Sequence, residues 1–258
     1  MCTVVVRWTA GSPILVLALR DELTDREFDD PGPWWPDQPT VIGGRDRAAG
    51  GSWCVTDVSS GSTALVLNRA QRPVAEPAAP SRGLLPLLAV RHGTDWPAHL
   101  DVTGMASFAV LLAAPQGWTA WEFDGSRLTR HALPPGTHML TAGAAEQGRA
   151  DRHLTRFLAV DSAEQWRTVV TSSAVEDHAA SLLVRHEHAG STFATVFAQV
   201  LQAEPGRLSA TYSRAPTAAD SWLQRHWPSD WTTSPRRNAP SHTTTRAQPS
   251  SSGASPSG

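Results

Sequence analysis

The chain has 258 residues, with 22 basic and 24 acidic side chains and a formal net charge of −2 at pH 7. That length can bury a sizeable core, and the near-neutral balance gives no footprint for nucleic acid or for an anionic membrane surface. Every basic residue is Arg, which excludes Schiff-base chemistry on a lysine.

The two cysteines, Cys2 and Cys54, are too few for a disulfide framework. No basic segment leads into an apolar one at the N-terminus, and no run reaches the eighteen apolar residues of a membrane span. A cytoplasmic protein with reduced thiols and no membrane span is expected. The encoded start, less Met1, is expected to be the mature N-terminus, because Cys is small enough to permit Met removal.

In chain order, residues 3–9 and 13–20 predict a hairpin turned at Gly11-Ser12-Pro13, apolar enough for strands buried on both faces. Its return ends in Arg20-Asp21-Glu22, opposite the first residues of the chain. Residues 23–40 read as an irregular loop, with Trp34-Trp35 either packed back onto the domain or lying over a cleft. The Gly43-Gly44 and Gly50-Gly51 pairs bracket a second turn region, and they fit neither a dinucleotide fingerprint nor a P-loop. Residues 53–58 and 62–68 predict another hairpin, with Cys54 a small buried hydrophobe.

A linker over 74–81 leads to a helix over 82–91, capped by Ser81 and strained by Pro86 unless it begins later. Strands follow at 108–113, 118–123, 127–133 and 137–140, then helices at 149–158 and 162–170 with Ser162 as N-cap. Strands at 180–186, 192–201 and 208–213 close the domain. Residues 217–228 read as one or two exposed helical turns. The tail from 232 is Ser/Thr/Pro-rich with no apolar period and reads as disordered. The division is a domain over 1–215, a Trp-containing extension over 216–231 and a tail over 232–258. Strands segregated from helices predict an α+β fold of two antiparallel sheets packed together with helices outside.

The candidate site is the opening hairpin. With Met1 removed, Cys2 would hold a thiol and a free α-amine, so it would carry its own proton acceptor. Arg20 beside it would favour thiolate, Asp21 could hold the α-ammonium, and Asn68 could donate to an oxyanion. A small residue starting a buried strand, a strand-end ion pair and a self-satisfying turn residue are the plain alternatives for these positions. His178, His186 and His188 cluster in sequence, and His186 and His188 would share one face of a strand, but no Cys pair or third ligand stands nearby at zinc-like spacing, so no metal and no cofactor is expected. Neither a G-x-S-x-G elbow nor H-E-x-x-H occurs.

Met1-Cys2, Arg20-Asp21-Glu22, Asp25-Arg26, Ile42-Gly43-Gly44-Arg45-Asp46, Gly50-Gly51-Ser52-Trp53, Asn68, Ser81-Arg82-Gly83 and Leu133-Pro134-Pro135-Gly136-Thr137-His138 stand in that order along the chain. Together they resemble the transport and Golgi organization protein family, also called the NRDE family. That family is similar to N-terminal-nucleophile hydrolases of the penicillin V acylase and bile salt hydrolase type. The resemblance implies a four-layer αββα sandwich and a catalytic set of Cys2, Arg20, Asp21 and Asn68 acting on a small amide. It equally implies a non-catalytic alternative, intracellular binding or trafficking of haem or another hydrophobic metabolite. The chain departs from the family pattern at Leu19, Ala109 and Thr141-Ala142, where Asn or Ser-Asn would stand. His138, in the last of these stretches, is placed to line the cleft or cap a turn.

Overall fold

The structure, a computed structural model, describes residues 2–69, 79–142, 147–178, 180–188 and 190–228. The linker and the tail therefore lie largely or wholly outside the described residues. The opening hairpin forms from β1 (Cys2–Trp8) and β2 (Ile14–Leu23), with Cys2 opposite Arg20. Its continuous β-branched and aliphatic runs follow from burial on both faces. Val4 and Val16 point into one apolar cluster, and Val5 and Leu17 into another.

A seven-stranded meander follows: β3 (Phe28–Gly32), β4 (Val41–Asp46), β5 (Cys54–Asp57), β6 (Ser62–Asn68), β7 (Phe108–Ala114), β8 (Gly117–Phe123) and β9 (Leu128–Leu133). Two of these strands correct the expectation of loop and turn over residues 23–53. β3 forms despite Pro31 because it is an edge strand, where a missing donor is tolerated. Phe28 anchors it edge-on against Trp53 and Phe197. β4 accommodates Gly44 because a Cβ there would lie 2.3 Å from the Trp53 ring, so the glycine marks a close approach rather than a turn. Trp35 is buried and donates to the Gly50 carbonyl at 3.0 Å, while Trp34 packs beneath Arg45.

Ser81 caps a single 3-10 turn, after which α1 (Leu85–His92) begins. The helix starts three residues later than the sequence predicts, which places Pro86 in its first turn, where no donor is required. Pro134-Pro135 ends β9, and the chain crosses to the first sheet as β10 (Gly136–Thr141), paired with β1. Then come α2 (Gln147–Leu158) and α3 (Ala163–Thr171), the latter opened by a Ser162/Gln165 capping box.

Short β11 (Val175–Glu176) precedes β12 (Leu183–His188), β13 (Ser191–Glu204) and β14 (Arg207–Ser213). The expected helical turns over 217–228 reduce to one 3-10 turn, Ala219–Ser221. Residues Leu223–Pro228 instead form β15 on the free edge of β14. An open edge offers a full row of backbone partners, which outweighs the weak local preference of this stretch.

The molecule is thus mixed α+β, with sheets of eight and seven strands. All pairings are antiparallel except that of β11 with β12. One apolar cluster joins the two sheets, through residues such as Val4, Val16, Cys54, Leu65 and Leu111. A second places α1 against the seven-stranded sheet, and a third places Phe157 and Trp166 of α2 and α3 against β1 and β2. No described helix is long and apolar enough to cross a membrane.

Candidate functional site

Strand alternation decides what each residue of the opening hairpin faces. Cys2 and Arg20 oppose each other in register, and both line a cavity of about 330 Å³. Arg26, Asp46, Asn68 and Arg82 also line it. Cys2 belongs to the cluster between the sheets and is 9% exposed.

Arg20 is held from several sides. Its guanidinium lies 4.9 Å from the Phe28 ring centre and 4.8 Å from that of Trp53, a desolvated cation–π arrangement worth about 2 kcal/mol. Nη2 donates to Asp46 Oδ2 at 2.9 Å and lies 3.7 Å from Glu22 Oε2. Nη1 is buried and has no hydrogen-bond partner among the described residues. Asp46 also takes a two-pronged pair from Arg26, at 2.7 and 2.9 Å, and the backbone N–H of Ala49 at 2.9 Å. Burial alone would raise the Asp46 pKa. The Arg26 bonds, the Ala49 N–H and the Arg20 charge outweigh it and hold the carboxyl below its ordinary range.

Asp21 sits one residue on, so its side chain leaves from the opposite face of β2. Its carboxylate accepts from Arg149 Nη1 of α2 at 2.9 Å and from Thr195 Oγ1 of β13 at 2.6 Å. Arg149 also bonds Thr3, on the same face. A bulge between Thr195 and Phe197 sets this up: Thr195 pairs with Asp21, and Phe197 is then opposite Arg20. The extra residue aims Thr195 at the carboxylate and sets Phe197 edge-on against Phe28 and Trp53. The backbone N–H of Asp21 favours the thiolate form of Cys2, against the effect of burial. Asn68 ends β6 with its side chain at the cavity wall, making no hydrogen bond with the described residues.

The thiol departs from the expected effect of Arg20. Burial is the dominant influence on Cys2 and pushes its pKa up; the charge of the amino terminus offsets part of this, the Asp21 charge adds to it, and Arg20 offsets least. Cys54, fully buried beside Gln199, is pushed up to about 12 and behaves as an apolar core residue.

Residues whose part was not legible from spacing are Glu22, Arg26, Asp46, Arg82 and Arg149. Asp46 and Arg82 lie in the Gly-Gly-Arg-Asp and Ser-Arg-Gly stretches, but contact across the sheets is what brings them to Cys2. Gly51 and Gly83 allow this approach: a Cβ on Gly51 would lie 2.4 Å from the Gly83 backbone, and Ser52 N–H donates to Gly83 O at 2.9 Å. His138 bonds the Pro134 carbonyl at 2.8 Å and thus caps the turn. His186 pairs with Asp177. Among the described residues, no three His, Cys, Asp or Glu side chains converge as a metal site.

Fold and site define a mixed α+β protein whose two sheets enclose a charged cavity at the start of the first strand. The model of the family described as Transport and Golgi organisation 2 matches residues 1–110, the part that carries Cys2, Arg20, Asp46, Asn68 and Arg82. No curated protein matches the chain.

Proposed function

We propose that the chain, within the Transport and Golgi organisation 2 resemblance, is an N-terminal-nucleophile amidohydrolase acting through Cys2 after loss of Met1. The observation that carries this reading is the register pair of Cys2 and Arg20 opening into one cavity that Asn68 also borders. The three apolar clusters support a four-layer αββα arrangement, with the site at the strand ends between the two sheets.

A thiol raised by burial needs a base, and the α-amine freed on Cys2, titrating near ~8, would supply one. The amine takes the thiol proton as sulfur attacks the amide carbonyl carbon. The tetrahedral oxyanion takes a hydrogen bond from Asn68. Collapse breaks the C–N bond, the proton passes to the leaving amine, and water then hydrolyses the thioester to free the thiol.

Intact-mass measurement tests the first requirement, loss of Met1. Iodoacetamide should then label Cys2 and leave Cys54 untouched until the chain unfolds. A protein retaining Met1 should label more slowly, and Cys2→Ala should reduce turnover of small amides to background. Retention of Met1 in the purified protein, or labelling of Cys54 instead, defeats the reading.

A second reading is binding without turnover. It is favoured by the buried apolar Ala109 and Ala142, which stand where the resemblance places polar side chains. The charged lining suits a small polar ligand better than haem, whose binding would call for a largely apolar pocket. A saturable haem titration unaffected by Cys2→Ala would reverse that preference.

A further inference from the structure

The two edges of the seven-stranded sheet are built differently. β3 carries Pro31 and an irregular register between Asp29 and Gly32, devices that keep an edge strand from pairing. β9 has neither. It runs six residues in unbroken register with β8, contains no proline, and pairs with nothing on its outer side among the described residues. Arg130, His131 and Ala132 along it are exposed. On the outer face of this sheet, Leu112, Thr119 and Ala132 lie opposite one another across β7, β8 and β9. They floor a cleft of about 420 Å³ that Arg130 also lines. Thr119 and Ala132 are short, which leaves room above the row at its β9 end. Arg130 is opposite Trp121, its guanidinium 5.7 Å from the ring centre, and no carboxylate among the described residues pairs with it. The carboxylates of β8 and the following turn are engaged elsewhere, Glu122 with Arg69 and Asp124 with the backbone N–H groups of Ser126 and Arg127.

We propose that β9 is a docking edge for an extended segment of another protein, added antiparallel to it, with an acidic residue opposite Arg130 and an apolar residue opposite Ala132. The outward N–H and C=O groups of β9 supply the ladder, and antiparallel addition continues the pairing of the whole sheet. Directly opposed side chains stand about 4.5–5.5 Å apart at Cβ, so an acidic residue there meets the free Arg130 fork. Two positions earlier in the segment, the side chain faces Ala132 and extends the row over the cleft. The partner therefore reads apolar-x-acidic. A second copy of this chain does not fit, because two-fold pairing of β9 with itself would line up Arg127 and Arg130 of both copies along one seam. The chain beyond Pro228 does not fit either, since it carries Asp230 against Arg236, Arg237 and Arg246. The cleft reaches Trp8, at the opposite end of β1 from Cys2, so docking is independent of the hydrolase reading.

The test is a titration of the full chain with acetyl-Thr-Phe-Thr-Glu-Thr-amide, followed by amide hydrogen exchange. Alternate amides of residues 128–133, those not bonded to β8, should gain protection while the others stay as they were. Replacing the peptide's Glu by Gln is expected to weaken binding roughly two- to five-fold. Arg130→Gln should abolish that difference while the melting temperature stays near that of the parent. Two further peptides are N-methylated, one at its odd and one at its even positions. Strand addition requires that one of them bind and the other fail, whereas side chains docking alone in the cleft would treat the two alike. Unchanged exchange along β9, equal binding of the two methylated peptides, or equal affinity for the Glu and Gln peptides overturns the proposal. So does a Glu preference that survives Arg130→Gln. Self-association that protects the same amides without peptide assigns the edge to a second copy and overturns it as well. Should Arg130→Gln fail to fold, the four peptides on the unaltered chain decide alone.

Discussion

Arg20 combines two aromatic faces, a carboxylate and one donor without an acceptor among the described residues. A buried donor without a partner costs about 1–3 kcal/mol, against which the Asp46 pair and the two ring faces hold the side chain in place. Alternation along β2 gives its neighbour Asp21 a different task, tying the strand to Arg149 and Thr195. Gly51 is the residue on which the cavity's other wall depends. Gly51→Ala would drive a Cβ into the Gly83 backbone, which cannot yield as a flexible side chain can. A loss of about 1–3 kcal/mol is expected, read as a lower urea midpoint with an unchanged slope. An unaltered midpoint would show that the two backbones can separate.

At the scale of elements, α2 is fastened to the opening hairpin by a fully buried ion pair. Arg149 is 1% exposed, and Asp21 lies on the strand beneath it. Breaking such a pair leaves a carboxylate short of its cation inside the protein, typically costing about 3–5 kcal/mol. Arg149→Ala is therefore expected to lower stability by that order. Hydrogen exchange should rise first in α2 and β2, while β6 to β8 keep their protection. Uniform loss of protection would show instead that α2 unfolds together with both sheets. Local patterns made most elements legible: the opening hairpin, β5 with β6, β7 to β9, and the Ser162-capped α3 all follow from alternation, turn residues and capping. Among the elements that were not legible, β3, β4 and β15 have weak local signals and exist because an edge or an aromatic partner distant in sequence stabilises them.

Across the molecule, acid stability follows from buried carboxylates. Asp29 and Asp46 both feel burial as an upward push, but Arg45 and Arg47 on one and Arg26 and Arg20 on the other bring them below the ordinary value. The unfolded chain, with carboxylates near ~3.9, takes up protons first as pH falls, so protonation favours unfolding. Their contribution is fully present above that value and is lost as pH drops through the lower folded-state values. The melting temperature should thus be level near neutrality and fall below about pH 4, and Asp46→Asn should make the acid limb shallower. An equally steep limb in Asp46→Asn would place the acid sensitivity elsewhere.

Periodicity and turn chemistry are local, so the α+β character, the opening hairpin and the pairing of Cys2 with Arg20 could be read from the chain alone. Those readings depend only on alternation, on the Gly11-Ser12-Pro13 turn and on antiparallel return. Tertiary structure alone decided that Asp21 turns to Arg149 while Arg20 turns to Asp46, and that Arg82 arrives beside Cys2 from the seven-stranded side. It also decided that burial, more than the neighbouring cation, governs the thiol. Each of these is set by which faces meet across the sheets and by how much water their meeting excludes, and neither is encoded in the spacing of any one segment.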